Sequence, residues 1–471
     1  MTRPATRHAA GLLMLLVLAA GALAAQTPAL TPVQIARIDS AFAQYARTGS
    51  PGCALGVSRN DQVVLERAWG QAELEHAIPI TPGTIFEGGS VSKQFTAAAV
   101  LLLAQDGKLS LDDNIRRWVP EVPDYGTPIT IRHLLNHTSG LKDWGSIAGI
   151  GGWPRGSRIY THAHVLEIIG RQGSLNYAPG AEYLYSNSNY NLLAIMAERV
   201  SGESLPALTK RLIFDPLGMT HTSWRDDFTR IVPGRAQAYA PAAGGWRLQM
   251  PNENVYGNSS LLTTVGDLLK WSANTTSMRV GGAAFRAEQQ RTGVLNSGDP
   301  ITYAAGIQMV AYAGQPEISH TGATAGYRAF LGRYPESGWA VAVLCNAANA
   351  PPGPLGHAVV DALLDRRPRP TTAAAPSATL SISPGSSAPL ESYAGRYVSA
   401  EADADFVAVV DNGRLVLTSR PNRRLVLTAA ATDRFSAGGN QVEFVRNGAG
   451  TVDGMRFSVD RARNVRFERV P

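Results

Sequence analysis

Short runs rich in β-branched and aromatic residues predict strands near both ends of the first 365 residues. The runs are residues 52–57, 62–69, 304–310, 327–334 and 339–344. The polar stretch 59–61 predicts a hairpin turn between the first two, and the segments in the middle of the chain have helical or loop-like patterns. This distribution predicts an α/β sheet layer joined to an all-α region, with a cleft between the two.

Two helices are predicted in the N-terminal third of the chain. Residues 32–47 predict the first, and the strong helix formers 96–104 predict the second, with Gly107 as its stop. Because residues 97–103 are apolar on every side, we expect the second helix to lie at the centre of the fold.

Alternation of apolar and polar positions returns near the C-terminus. It follows a stretch rich in Pro, Ala and Ser, residues 366–388, which predicts a linker. Residues 389–471 then predict a small all-β domain, an antiparallel barrel or a sandwich. This region contains no nucleophile–base pair, so we expect a stabilising or spacing appendage, with substrate gating or cell-wall binding as the alternative.

The first 25 residues have the pattern of a secretory signal peptide. Arg3 and Arg7 precede an apolar run over residues 11–25, which is short for a membrane span and ends in small residues. We therefore expect a secreted or periplasmic protein with no stable membrane span once the signal is removed, and a main domain over residues 26–365.

The composition argues against a nucleic-acid partner and against a zinc site. Of 471 residues 17% are charged, the net charge is +6, and the arginines are scattered without interleaved aromatic residues, which argues against a nucleic-acid partner. Two cysteines, Cys53 and Cys345, cannot form a thiolate zinc cage. Export would permit a disulfide, but we expect two buried free thiols. His162 and His164 are expected at the surface rather than at a metal.

The candidate chemistry starts at the central helix, where Ser90 and Lys93 follow two glycines. If the helix begins at or just before Ser90, both side chains point from the same face near its positive end. A serine is a poor nucleophile until a base takes its proton, and burial of a lysine makes the neutral amine accessible. Alone, however, this spacing is more typical of a helix cap followed by a surface lysine.

Three further stretches change that balance. They are the predicted helix and polar turn of residues 129–141, the triplet Tyr185-Ser186-Asn187 and the triplet His320-Thr321-Gly322. With Ser90 and Lys93, this ordered set resembles the penicillin-recognising serine hydrolases, which include class C β-lactamases, D-alanyl-D-alanine carboxypeptidases, D-aminopeptidases and related esterases. The resemblance runs over residues 32–364 and implies a β-lactamase/transpeptidase-like fold.

The resemblance implies roles for four side chains. Ser90 would be the acylated nucleophile, and Lys93 would help to take its proton. Tyr185 would be the second proton handler, its phenolate favoured by the nearby lysine charge, and would return a proton to the leaving group. Asn187 would hold the acyl-side amide of the substrate and help to fix Lys93. The turn over residues 136–140 is expected to be structural.

The resemblance also implies a strand at the edge of the site. His320, Thr321 and Gly322 would occupy the place of the family's Lys-Thr-Gly strand, and the backbone N–H groups of Ser90 and Ala323 would form the oxyanion hole. A histidine in place of the lysine is mostly uncharged near neutral pH, which argues against efficient β-lactam hydrolysis. Arg328 could anchor a carboxylate instead, although a solvated strand residue is the expected role.

The sequence therefore predicts an exported serine hydrolase that works through a covalent acyl-enzyme without a cofactor. The first expected substrate is a D-amino-acid-containing peptide, as for a DD-carboxypeptidase or a D-aminopeptidase, with a cell-wall-derived peptide as one candidate. A small ester or amide comes second and weak β-lactamase activity third. A non-catalytic binding or sensor protein is the alternative from another class. The loop of residues 145–157 is expected to line the cleft.

Overall fold

The computed structural model describes residues 29–366 and 388–471. The predicted signal peptide, residues 1–25, and all but the two end residues of the predicted linker, 366–388, lie outside the described residues. Within the described ranges no helix has the length and apolar character needed to cross a bilayer. Residues 29–366 are called the main domain below, and residues 388–471 the barrel.

The main domain combines helices with one large sheet and several short strand pairs. Its α-helices in chain order are α1 Pro32–Phe42, α2 Lys93–Gln105, α3 Ile131–Leu135, α4 Trp144–Ile150, α5 His162–Gly170, α6 Asn187–Ser201, α7 Leu205–Thr209, α8 Asp215–Leu217, α9 Val265–Ser277, α10 Gly282–Gln289 and α11 Pro352–Leu363. Its strands are β1 Cys53–Arg59, β2 Gln62–Trp69, β3 Gln71–Glu73, β4 Ile78–Pro79, β5 Phe86–Glu87, β6 Ser223–Trp224, β7 Tyr239–Ala242, β8 Gly245–Leu248, β9 Leu261–Thr263, β10 Gln308–Tyr312, β11 Gln315–Thr324, β12 Tyr327–Tyr334 and β13 Trp339–Cys345.

The large sheet is antiparallel, with the strand order β10-β11-β12-β13-β1-β2. The two ends of the main domain thus meet in one sheet, as the distribution of strand patterns predicts. Helices α1 and α11 pack together against this sheet, and α9 packs against β1 and β13. Helix α1 begins with a capping box, in which Thr31 and Gln34 satisfy each other's backbone N–H groups.

The expectation of two free thiols is wrong. Strands β1 and β13 pair so that Cys53 lies directly opposite Cys345, with their Cα atoms 4.0 Å apart, and the two residues form a disulfide. The sequence did not reveal this pairing because 292 residues separate the two cysteines and only the sheet brings them together.

The central helix forms where it was predicted. One turn of 3-10 helix, Gly89–Ser92, leads into α2, and most of α2 is buried. Gly107, with a φ of 71°, follows the helix and ends it in the left-handed conformation that favours glycine.

Three predicted elements differ in detail from the structure. The strand predicted over 304–310 starts only at Gln308, because the chain at Gly306 (φ 78°) lies against the backbone of Lys93 and Gln94. The predicted helix within 129–141 is only five residues long. The middle of the domain, predicted as helix and loop, also holds the seven short strands β3 to β9.

The C-terminal region is a nearly closed antiparallel barrel. Its strands are β14 Gly395–Ser399, β15 Ala404–Asp411, β16 Arg414–Ser419, β17 Arg423–Val426, β18 Thr428–Ala431, β19 Arg434–Ala437, β20 Asn440–Arg446, β21 Val452–Val459 and β22 Ala462–Val470. They form one nine-stranded sheet in the order β17-β16-β15-β14-β22-β21-β20-β19-β18. Phe406, Phe457 and Phe467 pack their rings together inside it. The structure thus has a barrel rather than a sandwich.

The barrel docks directly on the main domain. Lys142, whose side chain is fully buried, forms an ion pair of 3.1 Å with Glu401. Arg423 donates a hydrogen bond of 3.1 Å to the carbonyl of Gly149. The turn Asp460–Arg461, between β21 and β22, is called the barrel turn below. Its contacts bring it to the site described next.

Candidate active site

Ser90 lies in the turn Gly88–Ser92, called the nucleophile turn below, and Lys93 is the first residue of α2. The Lys93 Nζ lies 3.2 Å from the Ser90 Oγ, so the Ser-x-x-Lys spacing places an amine beside a hydroxyl. The Lys93 Nζ also contacts the Asn187 Oδ1 at 3.0 Å and donates to the Asn258 carbonyl at 2.7 Å. This network fixes the amine in place.

Lys93 is poised to act as a base. Its side chain has no solvent exposure, and the loss of hydration lowers the pKa of Lys93 well below its usual value. The positive charges of Arg155 and Arg461 lower this pKa further, whereas Asp143 opposes the fall. A neutral amine at this position can accept the proton of the Ser90 hydroxyl.

Tyr185 lies beside both residues, and its ring centroid is 4.7 Å from the Lys93 Nζ. Its hydroxyl is shielded from solvent. Burial raises the pKa of Tyr185, and the nearby Ser90 hydroxyl and Arg461 only oppose that rise. The expected phenolate is therefore wrong for the free site: burial outweighs the neighbouring cations, and the ring carries a neutral phenol that can donate a proton.

Asn187, the first residue of α6, is held from both ends. Its backbone N–H donates to the Asp143 Oδ2 at 2.7 Å, while its side-chain oxygen faces Lys93. The turn of residues 136–140 supports the site from behind, as expected for a structural element. Its His137 is buried, packs on Tyr185 with a ring separation of 4.3 Å, and lies 3.1 Å from the Asn189 amide.

Strand β11 passes unusually close to the nucleophile turn. A Cβ at Gly322 would lie 2.0 Å from the Gly88 carbonyl, and a Cβ at Gly89 would lie 2.5 Å from the Ala323 nitrogen. Only glycine allows these backbones to approach so closely. The Gly322 Cβ position would also lie 3.1 Å from the Ser90 nitrogen, so the backbone nitrogens of Ser90 and Ala323 both border this close approach. Two N–H donors in this arrangement can stabilise an oxyanion, as the sequence predicts.

His320 on the same strand is fully engaged within the protein. Its Nδ1 lies 2.5 Å from the Thr321 carbonyl and its Nε2 lies 3.0 Å from the Tyr303 hydroxyl. The carbonyl can only accept, so the Nδ1 carries the proton and the Nε2 accepts from Tyr303. Burial, reinforced by Lys93, lowers the pKa of His320 to about 4. The imidazole is therefore neutral well below neutral pH.

These groups line one open cavity of about 730 Å³. Three arginines, Arg155, Arg328 and Arg461, also line it, and none of the described lining residues is acidic. Arg155 comes from the loop of residues 145–157, which was expected at the cleft, and its Nε donates to the Glu253 carboxylate at 3.1 Å. Arg328 donates to the carbonyls of Ala325 and Tyr327 at 2.9 and 2.7 Å.

The sequence reasoning missed two contributors to this site. The Asn258 carbonyl, which accepts from Lys93, belongs to no motif, since a backbone group leaves no mark in the sequence. Arg461 comes from the barrel, with its guanidinium carbon 5.0 Å from the centre of the Tyr185 ring. No local pattern marks it either.

The candidate metal ligands do not form a site. His162 and His164 are half-buried rather than exposed: the His162 Nε2 lies 3.1 Å from the Tyr256 carbonyl, and the His164 Nδ1 lies 2.9 Å from the Thr161 hydroxyl. Among the described residues, the one grouping with metal-ligand spacing is Glu73, Glu75 and His76, of which the last two are exposed. It lies outside the cavity that holds Ser90.

The chain is similar in sequence to known proteins. A D-aminopeptidase of Gluconobacter oxydans is 28% identical over a match that covers 62% of this chain and 55% of that protein. Penicillin-binding protein 4* of Bacillus subtilis is 29% identical, with 60% of this chain and 65% of that protein covered. The chain thus matches about half the length of the first relative and just under two thirds of the second.

The fold is also similar to that of a solved structure. The octameric penicillin-binding protein homologue from Pyrococcus abyssi superposes with a TM-score of 0.63 at 22% identity, over 92% of this chain and 98% of that one. The sequence model of the family described as Beta-lactamase matches residues 38–366, more than half of the chain. The resemblance predicted from the motifs is therefore confirmed, and the chain belongs to the beta-lactamase family.

Proposed function

We propose that the protein is a serine hydrolase that cleaves D-amino-acid-containing peptides through a covalent acyl-enzyme on Ser90. The observation that carries this proposal is the contact between the Ser90 hydroxyl and a lysine whose pKa burial lowers well below its usual value. The family and the relatives named as a D-aminopeptidase and a penicillin-binding protein support a serine hydrolase.

The proposed reaction uses the groups of the cavity in sequence. Lys93 takes the proton of Ser90 as the Oγ bonds to the substrate carbonyl carbon, and the carbonyl oxygen becomes an oxyanion between two backbone N–H groups. The amide C–N bond then breaks, and the leaving nitrogen takes a proton from the neutral Tyr185 phenol. The proton held on Lys93 then moves to the Tyr185 oxygen and restores the phenol. Water releases the acyl group by the same steps in reverse.

The charge of the cavity favours a substrate that carries a carboxylate. The described lining contains three arginines and no acidic side chain, so a free ammonium group on a substrate would be repelled. Two unit charges about 4 Å apart interact by about 4 kcal/mol at an effective dielectric constant of about 20. Within the proposed class, the site therefore fits a carboxypeptidase-like substrate with a free C-terminal carboxylate better than an aminopeptidase substrate.

Two parts of the proposal rest on other observations. The neutral His320 supplies no cation at its own position on β11, where a lysine would attract the carboxylate of a β-lactam, so we propose slow turnover of such drugs. Secretion or periplasmic location is proposed from the signal-peptide pattern of residues 1–25.

The test compares three substrates with the full chain. A peptide ending in D-alanyl-D-alanine should give the highest kcat/KM, ahead of a short-chain nitrophenyl ester and a chromogenic cephalosporin. Ser90→Ala should abolish turnover and labelling by a fluorophosphonate. Ser259→Ala, which removes the other serine of the cavity lining, is the matched control and should keep the label.

Two outcomes would overturn parts of the proposal. Turnover of the ester without the peptide would leave the acyl-enzyme in place and reject the substrate class. A folded wild-type protein that neither labels nor turns over any substrate would reject the enzyme and support a binding or sensor protein.

A further inference from the structure

The barrel turn is anchored to the main domain by its backbone. The Arg461 carbonyl accepts a hydrogen bond of 3.0 Å from the Asp143 N–H and one of 3.3 Å from the Asn176 side chain. Two residues on, the Arg463 N–H donates to the same Asn176 side chain at 2.7 Å. These contacts at Arg461 and Arg463 thus fix the backbone from which the Arg461 side chain extends.

This anchor is part of the site itself. Asp143, whose N–H holds the barrel turn, accepts through its carboxylate from Asn187, and Asn187 in turn contacts Lys93. The Asp143 side chain is buried, so water does not compete for these hydrogen bonds. Through it, the position of a barrel residue is coupled to the residues beside the nucleophile.

The Arg461 side chain lines the cavity, and its guanidinium is partly exposed and able to bind an anion. Its guanidinium lies 5.0 Å from the centre of the Tyr185 ring, and its side chain is 38% exposed. Within the described residues its ion pair is with Asp460, at 3.4 Å, and that carboxylate is 85% exposed. An exposed pair of this kind is weak and is easily exchanged for another anion.

The other two arginines of the cavity already use their N–H donors in hydrogen bonds to the protein. Arg155 forms a charged pair with the buried Glu253, and Arg328 donates to two backbone carbonyls of its own turn. A guanidinium presents five N–H donors in a planar fork that matches a carboxylate. Among the lining cations of the described structure, Arg461 is therefore the one best able to turn this fork toward a substrate.

We propose that Arg461 of the barrel binds the substrate carboxylate above Tyr185, so that the main domain and the barrel together form one substrate site. The inference rests on the proposed function, whose substrate it narrows to acyl donors with an anionic group on the leaving side. It also assigns the barrel a role in specificity, beyond that of a stabilising appendage.

The test pairs charged and neutral substrates. The peptide ending in D-alanyl-D-alanine is compared with the same peptide as its C-terminal amide. A phenyl ester with a carboxylate on the leaving group is compared with the unsubstituted phenyl ester. Arg461→Ala should lower kcat/KM for each carboxylate substrate by about 10- to 100-fold, mainly through KM, because a charge-assisted hydrogen-bond pair is lost. Neutral substrates should change less than about threefold.

Two further variants serve as controls. Arg461→Lys keeps the charge but not the fork and should recover part of the loss. Arg466→Ala removes an exposed arginine from β22 of the same hairpin and should behave as wild type. An equal loss on charged and neutral substrates, or no loss, would overturn the proposal.

The failure of the two proposals can be told apart. If peptides are not cleaved but the esters are, the proposed substrate class fails, and the ester pair alone decides the role of Arg461. If the folded protein acts on none of the four substrates, the proposed function fails and the role of Arg461 fails with it.

Discussion

Two basic side chains lie near the same tyrosine ring, and their surroundings differ sharply. The Lys93 Nζ is 4.7 Å from the centre of the Tyr185 ring and the Arg461 Cζ is 5.0 Å from it. Lys93 is fully buried with three protein contacts, whereas the Arg461 side chain is 38% exposed beside one exposed carboxylate. Burial lowers the pKa of the lysine, whereas the exposed guanidinium of the arginine is free to meet an anion. One site thus obtains a base and an anion binder from two basic residues.

Arg461 also acts on the pKa values of Lys93 and Tyr185. The positive charge of Arg461 contributes to the lowered pKa of Lys93, and it opposes the raised pKa of Tyr185. The barrel therefore adjusts the proton chemistry of the main domain as well as its charge. The predictions below disturb this arrangement, from the largest expected effect to the smallest.

Replacing the base with a permanent cation should have the largest effect. Lys93→Arg keeps a positive charge but removes a group that can become neutral, and the loss of a positioned general base typically costs 10²- to 10⁴-fold in rate. We expect acylation of Ser90 to slow by about 10³-fold or more. Stopped-flow labelling with a fluorophosphonate measures this rate. Lys108→Arg, an exposed site, should show no change, and an acylation rate within tenfold of wild type in Lys93→Arg would exclude Lys93 as the base.

Separating β11 from the nucleophile turn should have the next largest effect. In Gly322→Ala the new Cβ would lie 2.0 Å from the Gly88 carbonyl, so the strand must move and the N–H of Ala323 with it. Loss of one oxyanion donor costs about 10²- to 10³-fold in kcat. Steady-state kinetics on the peptide check this loss.

Gly353→Ala is the matched control for that variant. It changes another glycine of the cavity lining, but the new Cβ would meet its nearest atom, in Thr321, at an ordinary 3.5 Å. Equal activity of the two variants would show that the close approach of β11 is not required.

The third prediction concerns the free energy of unfolding and is smaller than the two rate effects above. Because the fold holds His320 neutral, acid should destabilise the protein. The pKa of His320 is about 4 in the folded protein, against about 6.5 in an unfolded chain. Between these values the unfolded chain binds a proton that the folded protein does not, so stability is lost as the pH falls from 6.5 towards 4. By pH 5 the loss is about 2 kcal/mol.

Urea unfolding at pH 7 and pH 5 tests this loss. His320→Gln should lose about 2 kcal/mol less between the two pH values than wild type. His221→Gln, at an exposed histidine, should lose as much as wild type. If His320→Gln and wild type respond identically to acid, His320 is not held neutral by the fold.

The features of the site that lie within one short segment could be predicted from the sequence. The Ser90-x-x-Lys93 spacing needs only one helical turn to bring hydroxyl and amine together, and the glycines at 89 and 322 fit the close approach of β11. The two strand-rich ends also predicted the sheet, since alternation and β-branched runs report on strands wherever they pair.

The remaining features depend on contacts between distant segments. The pairing of Cys53 with Cys345 depends on the register between two strands 292 residues apart. The neutral state of Tyr185 depends on burial, which its sequence neighbours do not reveal. Arg461 reaches the site because a barrel hairpin docks on Asp143, and one scattered arginine among many carries no signal of that contact.

The central claim is that burial, with the help of Arg461, holds the pKa of Lys93 well below its usual value, and NMR of ¹³Cε-labelled lysine tests it most directly. The chain has five lysines, at 93, 108, 142, 210 and 270, so Lys93→Arg and Lys142→Arg suffice to assign the two buried ones. We predict that the Lys93 resonance titrates at a pH well below that of the exposed lysines, and at a higher pH in Arg461→Gln than in wild type. A Lys93 resonance that titrates together with the exposed lysines would contradict the account.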